Sequence, residues 1–427
     1  MAGVAGGERD AGVLVRPRGP GDAKGRASQP AAGTPAGNFL RRLPLPSAHS
    51  LAIRCGCRLR RRFGPANLRF LAGTQFVHCP SDAPRNENGL VKSYRVEGDA
   101  GLKSLHLRDA DPPDCLPGCV RVAVKAASLN YRDLGILRGG YVRNDKNPVV
   151  PLSDAAGVVT EIGANVDSWK SGDRVTLSFV QDWIDGRPDD AVLRTSLGGS
   201  IDGVLREEIC VPAHGLVPTP DGLTDIEASC FPCAGVTAWH ALFGHRRLTA
   251  ADSVLLLGTG GVSMFALDLA KSVGATVIQT SSSDEKLRRA VERGADKTVN
   301  YRSTPNWADE VKRLTDGRGV DFVVEVGGPG TLPQSLQAIA VGGQISLIGV
   351  LDDPAGTVNP LPAMFNVASI QGIYVGSRHM LSDLFDHAET HGIRPVVDRV
   401  FSFDEATEAY AYFKSQQHVG KVVIELP

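Results

Sequence analysis

A glycine-rich turn is the strongest chemical signal in the sequence. The segment Gly258-Thr-Gly-Gly-Val-Ser263 directly follows the short apolar run 253–257. Glycine lets the backbone approach a pyrophosphate with no Cβ in the way, and a helix that starts there offers free N–H groups and a positive dipole end. Ser263 stands where the G-x-G-x-x-G pattern has its third glycine, so the surrounding elements must support the assignment. Four residues are predicted to bind the phosphates of a dinucleotide: Gly258, Gly260, Gly261 and Val262.

The elements around this turn have the pattern of a βαβ unit. Apolar residues recur every three or four positions from Val262 to Val273, which is typical of one helical face. The run before the turn and the run at 276–280 fit strands that are buried in a parallel sheet. Four further strand-like runs follow, at 298–301, 320–326, 344–350 and 369–375. Together these segments predict an α/β, doubly wound dinucleotide-binding fold.

The end of the second predicted strand indicates which dinucleotide is bound. An NAD site places Asp or Glu there to accept the ribose 2′-OH, whereas an NADP site leaves out that charge. This strand ends in Thr280-Ser-Ser-Ser283, and the acids that follow, Asp284 and Glu285, suit the first turn of the next helix. NADP(H) is therefore predicted over NAD(H), although one of the serines must also cap that helix. The contacts predicted at this end of the cofactor are Ser281, Ser282, Lys286 and Tyr301.

The composition is that of a soluble globular protein. The chain has 427 residues, a formal net charge of -1, 42% hydrophobic residues and 22% charged residues. A near-neutral balance gives no reason to expect a nucleic-acid or membrane-surface partner. No run approaches the roughly 18 apolar residues that a membrane-spanning helix needs. We therefore expect a small-molecule substrate, with no nucleic acid and no membrane.

Residues 1–85 differ from the rest of the chain. They hold fourteen basic and four acidic side chains, are rich in Gly, Ala and Pro, and show no sustained hydrophobic periodicity. Such a segment buries too little apolar surface to offset its ordering entropy, so we expect a mostly disordered basic extension. Arg-rich leaders can direct proteins to mitochondria, but the acids and prolines near the start are poor transit-peptide chemistry. The expected location is cytoplasmic, and mitochondrial targeting and a dispensable extension both stay open.

Cys230 and Cys233 form a C-x-x-C motif, which could be a redox pair or half of a zinc site. The sequence has no second C-x-x-C after it and no clustered His residues to complete four ligands. We therefore expect these cysteines to be small buried residues in a reducing cytosol.

From Leu90 to its C-terminus the chain resembles the medium-chain dehydrogenase/reductase superfamily, and most of all its zinc-independent, quinone-oxidoreductase-like alcohol dehydrogenases. Besides the glycine turn, these stretches carry the resemblance: Ala127-Ser-Leu-Asn-Tyr-Arg-Asp133, Leu152-Ser-Asp-Ala-Ala-Gly-Val-Val159, Ile162-Gly-Ala-Asn-Val166, Ser171-Gly-Asp-Arg-Val175 and Ala234-Gly-Val-Thr-Ala-Trp239. The resemblance implies a GroES-like, β-rich catalytic domain over 90–216, completed by 377–427, and a Rossmann domain over 217–376. The active site would lie in the cleft between the two domains.

The resemblance also implies that the site holds no zinc. Zinc-dependent members have a Cys ligand where this chain has Asn130, and a His-Glu pair where it has Ser153-Asp154. Neither Asn nor Ser is a competent zinc ligand, and Cys233, which stands at the position of the third ligand, makes no site by itself. The structural lobe of four cysteines is missing as well, because the sequence has no Cys between Cys119 and Cys210.

The resemblance further implies which residues meet the substrate and the cofactor. Asn130 and Tyr131 are the expected catalytic residues: the Asn130 amide could donate to a substrate carbonyl, and Tyr131 could donate a proton or pack against the cofactor. The strand at 369–375 resembles one that many members pair across a two-fold axis, so a homodimer is expected. The remaining expected cofactor contacts are Thr237, Val326, Gly349, Val350 and Arg378.

Without a metal, another group must stabilise the negative charge that develops on the acceptor oxygen. Quinones and enones need the least help, because conjugation stabilises their reduction products. The expected function is zinc-independent, NADP(H)-dependent hydride transfer between nicotinamide and a quinone, enone, aldehyde or alcohol. Two alternatives stay open, namely a 2-enoyl reductase and a non-catalytic NADPH-binding regulatory protein.

Overall fold

The computed structural model of the chain describes residues 89–140, 148–349 and 357–427. The expected basic extension and Val350 lie outside the described residues. In chain order the strands are β1 Val91–Val96, β2 Leu105–Ala110, β3 Cys119–Ser128, β4 Asp154–Ile162, β5 Arg174–Leu177, β6 Glu208–Pro212, β7 Leu216–Pro218, β8 Ser253–Leu256, β9 Thr276–Ser281, β10 Lys297–Asn300, β11 Val320–Glu325, β12 Ile339–Leu347, β13 Ser369–Gly372, β14 Val397–Ser402 and β15 Lys421–Glu425. The α-helices are α1 Tyr131–Ile136, α2 Asp190–Leu193, α3 Asp225–Ala228, α4 Val236–Phe243, α5 Gly261–Ser272, α6 Asp284–Glu292, α7 Trp307–Leu314, α8 Leu332–Ala338, α9 Leu361–Phe365, α10 Arg378–His391 and α11 Ala406–Lys414.

A mostly antiparallel sheet joins strands from both ends of the described chain. Its order is β14-β15-β3-β4-β5-β7, and β6 pairs with β3. Ser128 at the end of β3 lies opposite both Asp154, which starts β4, and Val423 of β15. The loop after β3, the start of β4 and the C-terminal strand therefore meet at one place in the sheet.

The second sheet has six parallel strands in the order β10-β9-β8-β11-β12-β13. Numbered along the chain, this is the order 3-2-1-4-5-6 of a doubly wound dinucleotide fold. Every residue of β11 is buried, which is why the run at 320–325 is almost continuously apolar. The fold class predicted from the sequence is confirmed, namely an α/β chain with a GroES-like and a Rossmann domain.

The C-terminal tail divides between the two sheets. Leu381, Leu384, Phe385 and Ala388 form the apolar face of α10, and they join the hydrophobic core around α4 and α5. Only the part from β14 onwards completes the first sheet. The sequence-based division placed all of 377–427 with the first sheet. The structure differs from that division at α10. The amphipathic pattern of a helix shows which face is buried, but it does not show which element covers that face.

The tail also joins the first sheet to the glycine turn. The backbone N–H of Gly420, just before β15, donates to the carbonyl of Thr259 at 2.9 Å. Gly420 has φ +81°, a left-handed conformation that favours glycine. Among the described residues, none of the helices is long and apolar enough to cross a membrane.

Candidate functional site

The glycine turn presents open backbone at the start of α5. Gly258 has φ +70°, and a Cβ added to Gly258 or Gly260 would meet no atom within 4 Å. Ser263 stands at the third glycine position of the pattern. Its hydroxyl donates to the carbonyl of Leu257 at 2.6 Å, so this side chain is held by the backbone directly after the preceding strand. Val262 follows in the first helical turn, where backbone N–H groups have no partner within the helix. This open backbone cradle at a helix N-terminus fits the pyrophosphate of a dinucleotide.

The residues predicted to surround the adenosine end lie close to the end of β9. Ser281 is buried, and its carbonyl accepts the N–H of Tyr301, whose side chain is exposed. Ser283 is the helix cap, since its side chain accepts the N–H of Lys286. Ser282 is therefore free of the capping role that one of the three serines was expected to take.

Lys286 has a different environment from the one that the sequence suggested. Its ammonium donates to the carbonyls of Gln416 at 2.5 Å and His418 at 3.1 Å. Both carbonyls belong to the segment between α11 and β15. Burial lowers the pKa of Lys286 and also that of His418, which falls to about 4. The lysine thus fixes the tail beside the glycine turn, in addition to any contact with a phosphate.

Two expected contacts of the nicotinamide half lie at the carboxyl ends of the central strands. A Cβ on Gly349 would come within 2.1 Å of the Val326 carbonyl, so the two segments pack backbone to backbone. Next to them is a cavity of about 470 Å³, whose lining includes Gly328, Gly349 and Tyr374. Ligands of doubly wound sheets bind at this edge, outside the carboxyl ends of the strands.

A buried carboxylate that the sequence analysis missed holds one wall of this cavity. Glu325, the last residue of β11, accepts the N–H groups of Gly327 at 2.8 Å and Gly328 at 3.1 Å. The hydroxyls of Thr331, at 2.5 Å, and Ser335 also donate to it. An acid directly after the apolar residues 322–324 is the signal that could have revealed this anchor.

Thr237 and Arg378 do not join the glycine turn in any described contact. Thr237 is buried within α4. Arg378 starts α10 and donates from Nε to the carbonyl of Leu216 at 2.8 Å. It lines a separate cavity with Trp169 and His214. The expected cofactor contact of Arg378 stays a prediction.

Asn130 lies at the centre of a buried polar cluster. It is the N-cap residue of α1, and its backbone N–H donates to Asp133 Oδ2 at 2.8 Å. Its side-chain Oδ1 accepts from Lys421 Nζ at 2.6 Å. Its Nδ2 is buried and has no hydrogen-bond partner among the described residues. Tyr131, the next residue, is 36% exposed and so lies at the rim of this cluster.

Asp154 and Cys233 form the other side of the cluster. Asp154 Oδ1 accepts from the Ser153 hydroxyl at 2.6 Å, and Oδ2 accepts the N–H of Cys233 at 3.0 Å. Cys233 lies in a π-helical turn, Phe231–Gly235, which aims its N–H at the carboxylate. Burial raises the pKa of Asp154, whereas Lys421 and the Asn130 amide act to lower it. Burial also raises the pKa of the Cys233 thiol well above its usual range.

Lys421 was not singled out by the sequence analysis, yet it connects all of these groups. It is only 2% exposed, and it donates to the carbonyl of Leu129 at 2.7 Å as well as to Asn130. Its Nζ lies 3.9 Å from Asp154 Oδ2. The sequence signal is a lysine that opens the apolar strand 421–426, because buried lysines are rare unless they are paired.

These donors do not suit a zinc ion. Among the described residues, no group of three or more His, Cys, Asp or Glu side chains is arranged to hold a metal. The Lys421 ammonium close to Asp154 would repel a divalent cation. Cys233 takes part in the cluster through its backbone N–H.

Comparison with known proteins identifies the two domains. A family model described as the alcohol dehydrogenase GroES-like domain matches residues 116–221, and one described as zinc-binding dehydrogenase matches residues 261–390. A zinc-type alcohol dehydrogenase-like protein of Schizosaccharomyces pombe is 44% identical over 334 residues, which are 77% of this chain and 96% of the relative. The chain belongs to the medium-chain dehydrogenase/reductase superfamily. It is an NAD(P)-dependent oxidoreductase, as the resemblance in the sequence implied.

Two further relatives support the same placement within the superfamily. A solved structure from Sinorhizobium meliloti, assigned to the alcohol dehydrogenases, is 41% identical with a TM-score of 0.74, covering 79% of this chain and 99% of that one. The quinone oxidoreductase-like protein 2 of Bos taurus is 27% identical over 355 residues, which are 79% of this chain and 94% of the relative.

Proposed function

We propose that this superfamily member is a zinc-independent, NADP(H)-dependent reductase of conjugated carbonyl compounds, such as quinones, enones and aldehydes. The observation that carries the proposal is the Asn130 amide, which is buried at the cluster. Its Nδ2 lies near enough to Asp154 to lower the pKa of that carboxyl, but it forms no geometrically sound hydrogen bond with a described residue. A buried donor without a partner is costly, and a substrate carbonyl oxygen is the acceptor that would satisfy it. The similarity to a protein described as quinone oxidoreductase-like supports the choice of a quinone as one such acceptor.

The bound nicotinamide would supply or accept the hydride. The chain's own contribution is to orient the acceptor and to stabilise the charge on its oxygen. Asn130 Nδ2 would donate a hydrogen bond to that oxygen, and this bond strengthens as the charge develops. Tyr131, at the rim, is suited to relay a proton from solvent or to cover the ring of the nicotinamide.

Three features support NADP(H) over NAD(H). Between β9 and α6 the chain has Ser282 and the cap Ser283 in place of an acid that would repel a 2′-phosphate. Ser281 is buried at the end of the strand, and Lys286 brings a positive charge to the next helical turn. The glycine turn supports binding of the pyrophosphate of either dinucleotide.

An acceptor panel tests this function. Purified protein is given NADPH or NADH with a benzoquinone, a conjugated enone, an enal, a 2-enoyl thioester and a saturated aldehyde, and the reverse reaction is tried with a primary alcohol. We expect the conjugated acceptors to have the highest kcat/KM, with NADPH preferred. NADPH binding without turnover of any acceptor would contradict a catalytic role and would favour a regulatory NADPH-binding protein.

The edge of the second sheet supports a homodimer. β13 is the terminal strand, and its outer backbone groups have no neighbouring strand among the described residues. The apolar side chains exposed on and beside it are Val341, Leu361, Met364, Phe365, Val367 and Ile370. An exposed edge with such a patch is a template for association, and a second copy would continue the sheet across a two-fold axis.

A further inference from the structure

We propose that Lys421 is a positioning residue for hydride transfer, whose buried ammonium sets the orientation of the Asn130 amide. Lys421 contacts Asn130 and lies 3.9 Å from Asp154, two residues that stand, by the resemblance, where zinc-dependent members have a Cys ligand and the Glu of a His-Glu pair. This inference rests on the proposed function, because it assigns Asn130 the contact with the acceptor oxygen. The inference adds a residue on β15, far in sequence from Asn130, that does not itself contact the substrate.

The orientation of the amide follows from the chemistry of the two groups. A lysine ammonium has three donors and no acceptor, so the atom of Asn130 that lies 2.6 Å from Nζ must be the oxygen. The Nδ2 group must then point away from Lys421. Without the ammonium, the amide could rotate by half a turn, and a carbonyl oxygen would face the substrate oxygen that it should stabilise.

The position of Lys421 Nζ is fixed from three directions. The carbonyl of Leu129 accepts a second hydrogen bond at 2.7 Å, and Asp154 Oδ2 lies at 3.9 Å on another side. The aliphatic stem packs beneath the glycine turn, because a Cβ on Gly261 would come within 2.7 Å of Lys421 Cδ. The lysine therefore connects the backbone of the cofactor turn to the catalytic amide.

Lys421 and Asp154 also balance each other's charge in a buried environment. Replacing the lysine alone would leave the Asp154 carboxylate without its cation, and the protein would lose stability for a reason unrelated to catalysis. A pair of substitutions that removes both charges separates these effects when Asp154→Asn alone is measured beside it, because Asp154 also interacts with the Asn130 amide. Asp154→Asn alone should lower kcat by less than the pair does, and an equal loss would assign the effect to Asp154. The neutral pair Lys421→Met and Asp154→Asn removes the ammonium while no buried charge is left behind.

The test is a mutant cycle between this neutral pair and Asn130→Ala. In the wild-type background, we expect the neutral pair to lower kcat for the best acceptor by roughly 10- to 100-fold. The Kd for NADPH, measured by fluorescence titration, should stay within about twofold, because no phosphate or ribose contact is removed. In the Asn130→Ala background, the same pair should change kcat by less than about twofold, since the group that Lys421 positions is already missing.

Equal losses in both backgrounds would overturn the proposal, because Lys421 would then act on something other than Asn130. Lys125→Met is the matched control: this lysine lies on neighbouring β3 and donates only to the carbonyl of Pro427, so kcat should not change. If the neutral pair does not fold, Lys421→Arg keeps the charge near Asp154. Its guanidinium also has donors and no acceptor, so it should keep the amide orientation and most of kcat, and a loss as large as that expected for the neutral pair would overturn the proposal.

A crystallographic comparison gives a readout that does not depend on activity. Neutron diffraction distinguishes the amide oxygen from the amide nitrogen. It should show Oδ1 of Asn130 facing residue 421 in the wild type and a rotated amide in the neutral-pair variant, and an unchanged amide orientation would overturn the proposal. If the wild type binds NADPH but reduces no acceptor, the proposed function has failed, and the position of Asn130 still decides whether Lys421 orients it.

Discussion

The backbone N–H of Gly420 donates to the carbonyl of Thr259 at 2.9 Å, which joins the C-terminal strand to the cofactor turn. The residue after Gly420 is Lys421, and the residue after Thr259 is Gly260. One backbone contact thus brings together the turn that we assign to the pyrophosphate and the lysine that holds Asn130. Substitutions in the glycine turn should therefore differ in their effects on cofactor binding and on folding stability.

Gly260→Ala should weaken cofactor binding without weakening the fold. Gly260 has φ -77°, which alanine adopts readily, and its Cβ would meet no protein atom within 4 Å. The methyl group would instead occupy space that we assign to the pyrophosphate. We expect the Kd for both reduced nucleotides to rise at least about tenfold, which corresponds to roughly 1.4 kcal/mol. Thermal unfolding without cofactor should be unchanged.

Gly258→Ala is the matched control for this prediction. Gly258 has φ +70°, so alanine there should cost about 1 kcal/mol of folding free energy whether or not a nucleotide is present. Isothermal titration and thermal unfolding of both variants check the pair. Unchanged nucleotide binding in Gly260→Ala would place the pyrophosphate elsewhere.

The sequence predicted the second sheet well because its signals are local. The turn at Gly258–Gly261, the helical spacing that follows it and the apolar run at 320–325 each depend only on neighbours in the chain. The division of the tail between the two sheets was harder to predict from the sequence, because the apolar face of α10 does not show which element packs against it.

The buried polar cluster around Asn130 could be predicted only in part. Asn130 and Asp154 were singled out through the resemblance, but Lys421 meets Asn130 across 291 residues of sequence. No local pattern encodes such a contact, because it depends on how β15 pairs with β3. The partners of Lys286 in the tail are equally distant, and there the sequence suggested a phosphate contact alone.

Cofactor preference should respond to a carboxylate at Ser282. Ser282→Asp would place a negative charge where we expect the 2′-phosphate, so KM for NADPH should rise at least about tenfold while KM for NADH should stay or fall. Lys286→Ala should raise the KM for NADPH more than that for NADH. Steady-state kinetics with one acceptor and both nucleotides measure the two variants.

Ser303→Asp is a suitable control, because this serine is exposed beyond β10. Equal effects of Lys286→Ala on both nucleotides would mean that the lysine acts only by fixing the carbonyls of Gln416 and His418. Unchanged discrimination in Ser282→Asp would refute the assignment of NADP(H).

Stability should depend on pH through Asp133. This carboxyl is fully buried, and burial raises its pKa from 3.8 to about 6. A raised pKa means that the folded state binds the proton more tightly, so its contribution to stability is complete below about pH 4 and is lost as pH rises through about 6. Relative to Asp133→Asn, the wild type should lose up to roughly 3 kcal/mol over this interval.

Denaturant unfolding of wild type and Asp133→Asn between those pH values measures the difference. Asp309→Asn, on the exposed side of α7, should give no comparable change. A difference between wild type and Asp133→Asn that grows as the pH falls would show that the ionised carboxylate is the form favoured by the fold.

Charges placed on the apolar edge should separate the expected dimer. Phe365 is 73% exposed in α9, and Ile370 is 42% exposed on β13. Phe365→Asp combined with Ile370→Asp would put like charges into the surface that a second copy should cover, and burying unpaired charges is costly. Sedimentation velocity should give twice the chain mass of 45.2 kDa for the wild type and a single chain for the variant. Leu116→Asp, an equally exposed position in the other domain, should remain dimeric, and a wild type that sediments as a single chain would contradict the dimer.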